Sequence, residues 1–273
     1  MTREAVTTEA VVLRTVAYRE ADLIVTIYTR DRGRLSALAR SARKSRKRFG
    51  ACLGLFTVSR VDLTSRRSAE LWTMASAQLV RTFGTLASDM ACYAHASYGT
   101  ELARELTPVE VPDERVFDLL IELYNELESR GASVTMLRAF ELQMLELVGL
   151  APVLDRCVGC ERGDIDSRGT VLDPARGGVC CSSCAAFART VGVRPLSSGA
   201  RRVMLAAQSA RTLAAARELG AGPEKSPAPT AAHLAEARDC LVSLILGHVG
   251  KPLRSLEFIA KVSGAAQARR RES

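Results

Sequence analysis

Four cysteines lie in one short window of the chain and have the spacing of a metal site. Cys157 and Cys160 form one C-x-x-C pair, and a second pair ends at Cys184 about 20 residues later. Zinc binds four soft ligands in a tetrahedron, and each C-x-x-C turn supplies two thiolates. The pattern predicts one structural Zn²⁺, because four thiolates leave no open position for a catalytic water.

The third ligand is open from sequence alone, because Cys180 and Cys181 are adjacent. The C-x-x-C spacing favours Cys181, with Cys180 as the alternative. Other interpretations of the window are a redox pair or reduced core thiols. A thioredoxin-type C-x-x-C would follow a βαβ strand, and no such pattern precedes Cys157.

A second feature with chemical meaning is a run of six cations in nine residues, without an acid. The run, which we call the basic loop, contains Arg40, Arg43, Lys44, Arg46, Lys47 and Arg48. Such a segment can contact phosphates and release counterions, so it predicts nucleic-acid binding with a strong salt dependence. The alternatives to nucleic-acid binding are a solvated surface loop and a sorting signal. Phe49, directly after the run, is the best candidate for base stacking, although a place in the core is about as plausible.

The charge of the chain is concentrated in its N-terminal part. Residues 1–80 carry 15 basic and 7 acidic side chains, whereas the other 193 residues carry 23 of each. This asymmetry indicates a polyanion-binding module joined to a neutral body.

The elements that must position these residues begin with short strands. The segments at 10–16, 22–29, 34–40 and 71–78 are rich in strand-forming residues. Between them, Phe56 and Val58 follow one alternation phase and Val61 and Leu63 the other, which predicts a β-bulge in that strand. Five strands in about 75 residues predict an OB-fold barrel.

Helical periodicity replaces the strand pattern after residue 82. Three amphipathic helices are predicted between 83 and 149, with Asp113 as an N-cap, and two more at 198–219 and 231–248. The predicted fold class is therefore α+β: an OB-fold domain over 1–80 and an α-helical domain over 81–273. The helical domain contains a zinc finger over 151–190. The Pro/Gly-rich stretch 220–229 is predicted to be an exposed connection.

The sequence lacks the motifs of several classes of enzyme. There is no phosphate-binding or Rossmann glycine motif, and His95 lacks the glutamate that a zinc deaminase needs. We therefore predict that the protein is not an enzyme. The chain shows no signal peptide and no long apolar run, so we expect a cytoplasmic protein without a membrane partner.

These pieces, in this order, resemble the RecO family of bacterial DNA repair and recombination mediators. The matching segments begin with Val12-Leu13 and the turn Tyr18-Arg19-Glu20-Ala21-Asp22. They continue along the chain as Gly33, Ala39-Arg40, Leu53–Phe56, Arg138-Ala-Phe-Glu141 with Leu145 and Gly149, the four cysteines with Gly177-Gly178, and Leu253-Arg-Ser-Leu256.

The resemblance implies a specific function. RecO proteins bind single- and double-stranded DNA, anneal complementary strands and, with RecR, help load RecA onto DNA coated by single-strand binding protein. It also implies a nucleoid-associated protein that binds the acidic tail of single-strand binding protein, for which Arg138 is a candidate contact. From the residues alone, an RNA-binding OB/zinc-ribbon protein and a zinc-dependent enzyme are the alternatives.

Overall fold

The N-terminal part of the chain forms a closed five-stranded barrel. The computed structural model describes residues 3–66, 71–165, 169–187, 191–219 and 228–262. The strands are β1 (Arg3–Tyr18), β2 (Asp22–Thr29), β3 (Gly33–Ala39), β4 (Thr57–Arg66) and β5 (Trp72–Thr82). They pair in the order β1-β2-β3-β5-β4 and β4 closes on β1, with β3 and β5 parallel. The predicted OB-type barrel is confirmed.

Alternation places one face of each strand inside the barrel. In β3, Leu35, Ala37 and Ala39 point inward and are buried, while the residues between them are half-exposed. Phe49, Leu53 and other residues from the connection between β3 and β4 join the same core. The barrel interior is therefore filled by side chains.

The predicted bulge inside β4 is wrong. β4 pairs with β1 without a break from Val58 to Arg66, and the register shifts against β5 fall between Val58/Ser59 and Asp62/Leu63, where the extra residues belong to β5. The apolar phase that includes Phe56 has another cause. Phe56 lies outside the barrel core, with its ring centroid 5.4 Å from that of Tyr93 and 5.5 Å from that of Tyr124.

The two helices that carry Tyr93 and Tyr124 pack beside Phe56 on the outside of the barrel. A 3-10 turn (Gly84–Ser88) leads into α1 (Met90–Leu106), and α2 (Glu114–Arg130) follows. The Thr100 and Tyr124 hydroxyl oxygens are 2.6 Å apart between the two helices. Asp113 caps α2 by accepting a hydrogen bond from the Arg115 amide, which confirms the predicted N-cap.

The remaining helices surround a small three-stranded sheet. The helices are α3 (Val134–Leu147), α4 (Ser182–Ala185), α5 (Ser198–Ser209), α6 (Leu213–Arg217) and α7 (Ala231–Val249), with β6 (Val171–Asp173), β7 (Gly178–Cys180) and β8 (Arg194–Pro195) between them. A last helical segment spans 254–262. The helix predicted over 198–219 is interrupted, because Thr212 begins a new helix by accepting a hydrogen bond from the Ala215 amide.

Contacts divide the chain into two compact units. One contains residues up to Gly131 together with those from Ser255 onward, and the other is Ala132–Arg254. Most of the predicted connection 220–229 lies outside the described residues. Within the described ranges, no helix combines the length and apolar character needed to cross a membrane.

The N-cap of α1 gives a testable stability prediction. The Asp89 side chain accepts a 2.8 Å hydrogen bond from the Cys92 amide, and this bond lowers the pKa of Asp89 although partial burial opposes it. We expect Asp89→Ala to cost about 1 kcal/mol of unfolding free energy at neutral pH. A lowered pKa in the folded state means that the stabilisation is present above the unfolded pKa and is lost as pH falls through the folded pKa.

Asp89→Asn is the matched control, because asparagine caps as well as aspartate but does not titrate. Denaturant unfolding between pH 7 and pH 3 checks both statements. An Asp89→Ala deficit that stays constant down to the lowest pH argues against a titrating cap.

Candidate metal centre and nucleic-acid interface

Four sulfurs converge at the small sheet. The Sγ atoms of Cys157, Cys160, Cys181 and Cys184 all lie within 4.8 Å of one another. The Sγ atoms of Cys160 and Cys181 are 3.8 Å apart. Four sulfurs at about 2.3 Å from a shared centre are separated by about 3.8 Å in a tetrahedron, so the donor set fits one tetrahedral metal ion.

Two different pieces of backbone hold the two cysteine pairs. Cys157 and Cys160 lie in one turn, whereas Cys181 follows β7 and Cys184 lies in α4. Gly178 allows the two pieces to approach, because a Cβ there would lie 2.5 Å from the Val153 carbonyl oxygen and 2.6 Å from Val158 Cγ1. The glycine before it, Gly177, has φ of +69° and ends the turn that precedes β7.

Backbone amides prepare one thiolate. Burial raises the pKa of Cys157, but hydrogen bonds from the backbone N–H groups of Cys181, Gly159 and Cys160 outweigh it and lower the pKa to about 6. The amides of Gly159 and Cys181 each lie 3.3 Å from Cys157 Sγ. A thiolate formed in this way is the species that binds a metal.

The structure distinguishes between the two adjacent cysteines. Cys181 belongs to the sulfur cluster, whereas Cys180 is fully buried and its Sγ lies 4.0 Å from Arg176 Nη1. Burial is the largest cause that raises the pKa of Cys180. The arrangement therefore favours Cys181 as the third ligand, as the C-x-x-C spacing suggested.

The basic loop is ordered by its backbone and by one apolar anchor. The amides of Lys44 and Ser45 both donate to the Ser41 carbonyl, and the Ala77 amide of β5 donates to the Arg48 carbonyl at 2.9 Å. Phe49 is 1% exposed and packs in the barrel core. The interpretation of Phe49 as a base-stacking residue is therefore wrong, because its ring is used to fix the loop.

The turn between β1 and β2 holds the loop from the other side. The Asp22 carboxylate accepts a 2.7 Å hydrogen bond from the Ser41 amide, and the Ala21 carbonyl accepts one from the Arg43 amide. Glu20 forms an ion pair with Lys44 at 2.8 Å. Glu20 and Asp22 were not assigned a role from the sequence. The available sign was a pair of acids at a predicted turn, about 20 residues before a run of cations that contains no acid of its own.

The six predicted cations fall into two groups. The internally bonded group is Arg43, Lys44 and Arg48, whose side chains bond Glu20, the Arg40 carbonyl and Ser45. The free group is Arg40, Arg46 and Lys47, which are exposed and whose side chains have no hydrogen-bond or ion-pair partner within the described part of the chain. The free group is the better set for direct contacts with phosphates, since its N–H donors are not already used in bonds within the protein.

Arg138 is placed differently from the expectation. It is 3% exposed, and its Nη2 lies 2.8 Å from Oε1 of the buried Glu141 one helical turn away in α3. This burial argues against a contact between Arg138 and an acidic peptide tail. The R-x-F-E pattern around Arg138 is accounted for by a buried intrahelical ion pair.

Comparison with known proteins decides the family. Residues 1–83 match the family described as "Recombination protein O N terminal", and residues 87–257 match "Recombination protein O C terminal". The chain belongs to the RecO family. Proteins named "DNA repair protein RecO" are similar over nearly their whole length. The relative from Anaeromyxobacter dehalogenans (strain 2CP-C) is 38% identical over 92% of this chain and 94% of its own.

More distant RecO proteins match over a similar extent. The Myxococcus xanthus relative is 35% identical over 93% of this chain and 96% of its own, and the Syntrophus aciditrophicus relative is 33% identical over 96% and 97%. The barrel with its basic loop and the cysteine cluster both lie within the segments that match the RecO family.

Proposed function

We propose that this RecO protein is a DNA repair and recombination mediator that binds single- and double-stranded DNA and anneals complementary strands. The observation that carries the proposal is an ordered loop with six cations on an OB-fold barrel, in a chain that matches both RecO segments. Annealing needs two polyanions brought together with their repulsion screened, and exposed arginine and lysine side chains supply that screening.

The proposal extends to partners that the relatives' names do not mention. With RecR, the protein helps load RecA onto single strands coated by single-strand binding protein, whose acidic tail it contacts. It acts in the bacterial cytoplasm at the nucleoid. The support for these partners is membership in the RecO family, and their binding surfaces are not assigned to residues.

The cysteine cluster holds one structural Zn²⁺ in this proposal, and the protein has no catalytic role. Cys157, Cys160, Cys181 and Cys184 would bind the ion and brace the small sheet against α4. Thiolate ligands suit zinc, and a site closed by four of them has no position for a reactive water.

Annealing of coated strands tests the function directly. Two complementary oligonucleotides, each coated with single-strand binding protein and carrying one dye of a fluorescence energy-transfer pair, are mixed with and without this protein. We expect the annealing rate to rise with protein concentration and to fall as salt is increased, because the phosphate contacts weaken. An annealing rate that does not change when the protein is added contradicts the proposal.

The same strands made of RNA separate the DNA mediator from an RNA-binding protein. We expect binding of unstructured DNA at least as tight as that of RNA of matched sequence. A strong preference for RNA would instead favour the alternative, since OB-folds and zinc ribbons also serve RNA recognition.

A further inference from the structure

The hairpin of β1 and β2 extends beyond the part of β1 that helps to close the barrel. The pairing of β1 with β4 ends at Val11, and Leu13 is an extra residue in the pairing with β2. From Arg14 to Tyr18, β1 pairs with β2 on one edge, and all five residues are exposed. The bulge at Leu13 thus marks the point where β1 leaves the packed core and becomes a surface ribbon.

The pairing of β1 with β2 shows which residues of this ribbon face the barrel core and which face outward. Thr15 and Ala17 pair with Val25 and Leu23, which belong to or pack against the barrel core, so they share the inward phase. The Thr15 hydroxyl donates to the Leu53 carbonyl at 2.9 Å on that side. Val16 and Tyr18 therefore lie on the outer face, where they are 40% and 39% exposed.

An apolar strip continues across the outer face from Val16. Val16 pairs with Ile24, and Ile24 pairs with Leu38 of β3; both partners are half-exposed. Tyr18 stands at the end of this strip, one residue before the turn that holds the basic loop. An aromatic ring in this position is accessible to a planar ligand that also contacts the loop.

The charges around Tyr18 favour an anionic ligand. Arg14 shares the outer face with Tyr18 and is exposed, and the Arg19 guanidinium carbon lies 5.3 Å from the Tyr18 ring centroid. The neighbouring acids are engaged, since Asp22 accepts from the Ser41 amide and Glu20 pairs with Lys44. A nucleic-acid strand supplies both the anionic backbone and the flat bases that this surface fits.

We propose that Tyr18 is a base-stacking residue and that its ring makes the protein bind unpaired DNA more tightly than duplex DNA. The inference rests on the proposed function and deepens it. The basic loop contacts the phosphates of either form, whereas the ring of Tyr18 stacks on a base whose face is free. In a duplex both faces of each base are covered by its neighbours, so the ring contributes nothing there.

Replacement of Tyr18 by leucine tests the proposal with three probes. They are an oligothymidylate, an abasic strand of the same length and charge, and a blunt-ended DNA duplex without a loop, each titrated with the full-length protein. We expect Tyr18→Leu to bind the oligothymidylate about tenfold more weakly, the loss of one stacked base. Binding of the abasic strand and of the duplex should be unchanged.

Two further variants show whether the ring itself makes the contact. Tyr18→Phe keeps the ring and should bind the oligothymidylate within about twofold of the unmodified protein. Tyr18→Trp keeps stacking and adds an indole, whose fluorescence should be quenched by the oligothymidylate and not by the abasic strand.

The outcomes separate this inference from the function on which it rests. A Tyr18→Leu protein that binds the oligothymidylate normally, or that weakens equally on all three probes, overturns the stacking assignment. An unmodified protein that binds none of the three probes overturns the proposed function itself.

Discussion

Cys181→Ala is expected to remove the metal and unfold the cysteine finger, whereas Cys180→Ala leaves the metal bound. The two residues are adjacent, but only Cys181 belongs to the four-sulfur cluster. Structural zinc contributes about 10–16 kcal/mol to the folding of small thiolate sites, so with zinc bound as proposed, loss of one ligand would remove a large part of the stabilisation of this sheet. Metal analysis of the purified protein should give one equivalent of zinc for the unmodified chain and for Cys180→Ala, and little for Cys181→Ala.

Two additional measurements make this experiment decisive. Cys160→Ser should behave like Cys181→Ala, because Cys160 belongs to the same cluster and is exposed, so its replacement leaves no buried cavity. Substitution with Co²⁺ reports the number of thiolate ligands through its absorption. Equal metal loss in Cys180→Ala and Cys181→Ala, with both proteins otherwise folded, would show that the ligand set assigned here is wrong.

Replacing the free group of the basic loop is expected to weaken single-strand binding about 100-fold at about 0.1 M salt. The triple variant changes Arg40, Arg46 and Lys47 to alanine, three side chains without a partner in the described structure. Each phosphate contact on a single strand contributes about 0.7 to the slope of log K against log salt, so three lost contacts flatten the slope by about 2. Titrations at several salt concentrations measure both quantities.

The internally bonded group supplies a control of equal charge. Changing Arg43, Lys44 and Arg48 to alanine also removes three positive charges, but these side chains already bond Glu20 and the loop backbone. We expect a smaller change of slope and a lower thermal stability. If both triple variants flatten the slope equally, the two groups contribute equally and the assignment of phosphate contacts to the free group is wrong.

The barrel could be predicted from sequence because its strands alternate and are separated by clear turn residues. Helix caps also depend on residues close in sequence, and Asp113 caps α2 as predicted. The β4 phase switch was misinterpreted because alternation records which side chains are buried and not what buries them. Phe56 is covered by Tyr93 and Tyr124, which are distant in sequence, so no local pattern distinguished a covered outer face from a bulge.

The residues of the candidate sites could be predicted from the sequence, but the hydrogen bonds and contacts among them could not. The cysteine spacing predicted the four sulfurs that cluster, with Cys180 as an alternative to Cys181, because tetrahedral thiolate sites impose such spacing on the chain. The basic loop was visible as a charge run, yet its sequence did not show that Glu20 bonds Lys44 or that Phe49 is buried. Those contacts join residues from different strands, and they decide which cations are free and that Tyr18, rather than Phe49, is the accessible aromatic.

Phe49 has a consequence for how such proteins diversify. The path of the basic loop is set by a buried ring, by backbone hydrogen bonds and by the internally bonded side chains, whereas the side chains of the free group have no partner within the described residues. The free cations can therefore be gained or lost one at a time at little cost to the barrel. Under the proposed function, each change would move the ionic strength at which DNA is released. If the loop binds DNA as proposed, single substitutions in the free group would therefore tune affinity without a matching change in the stability of the fold.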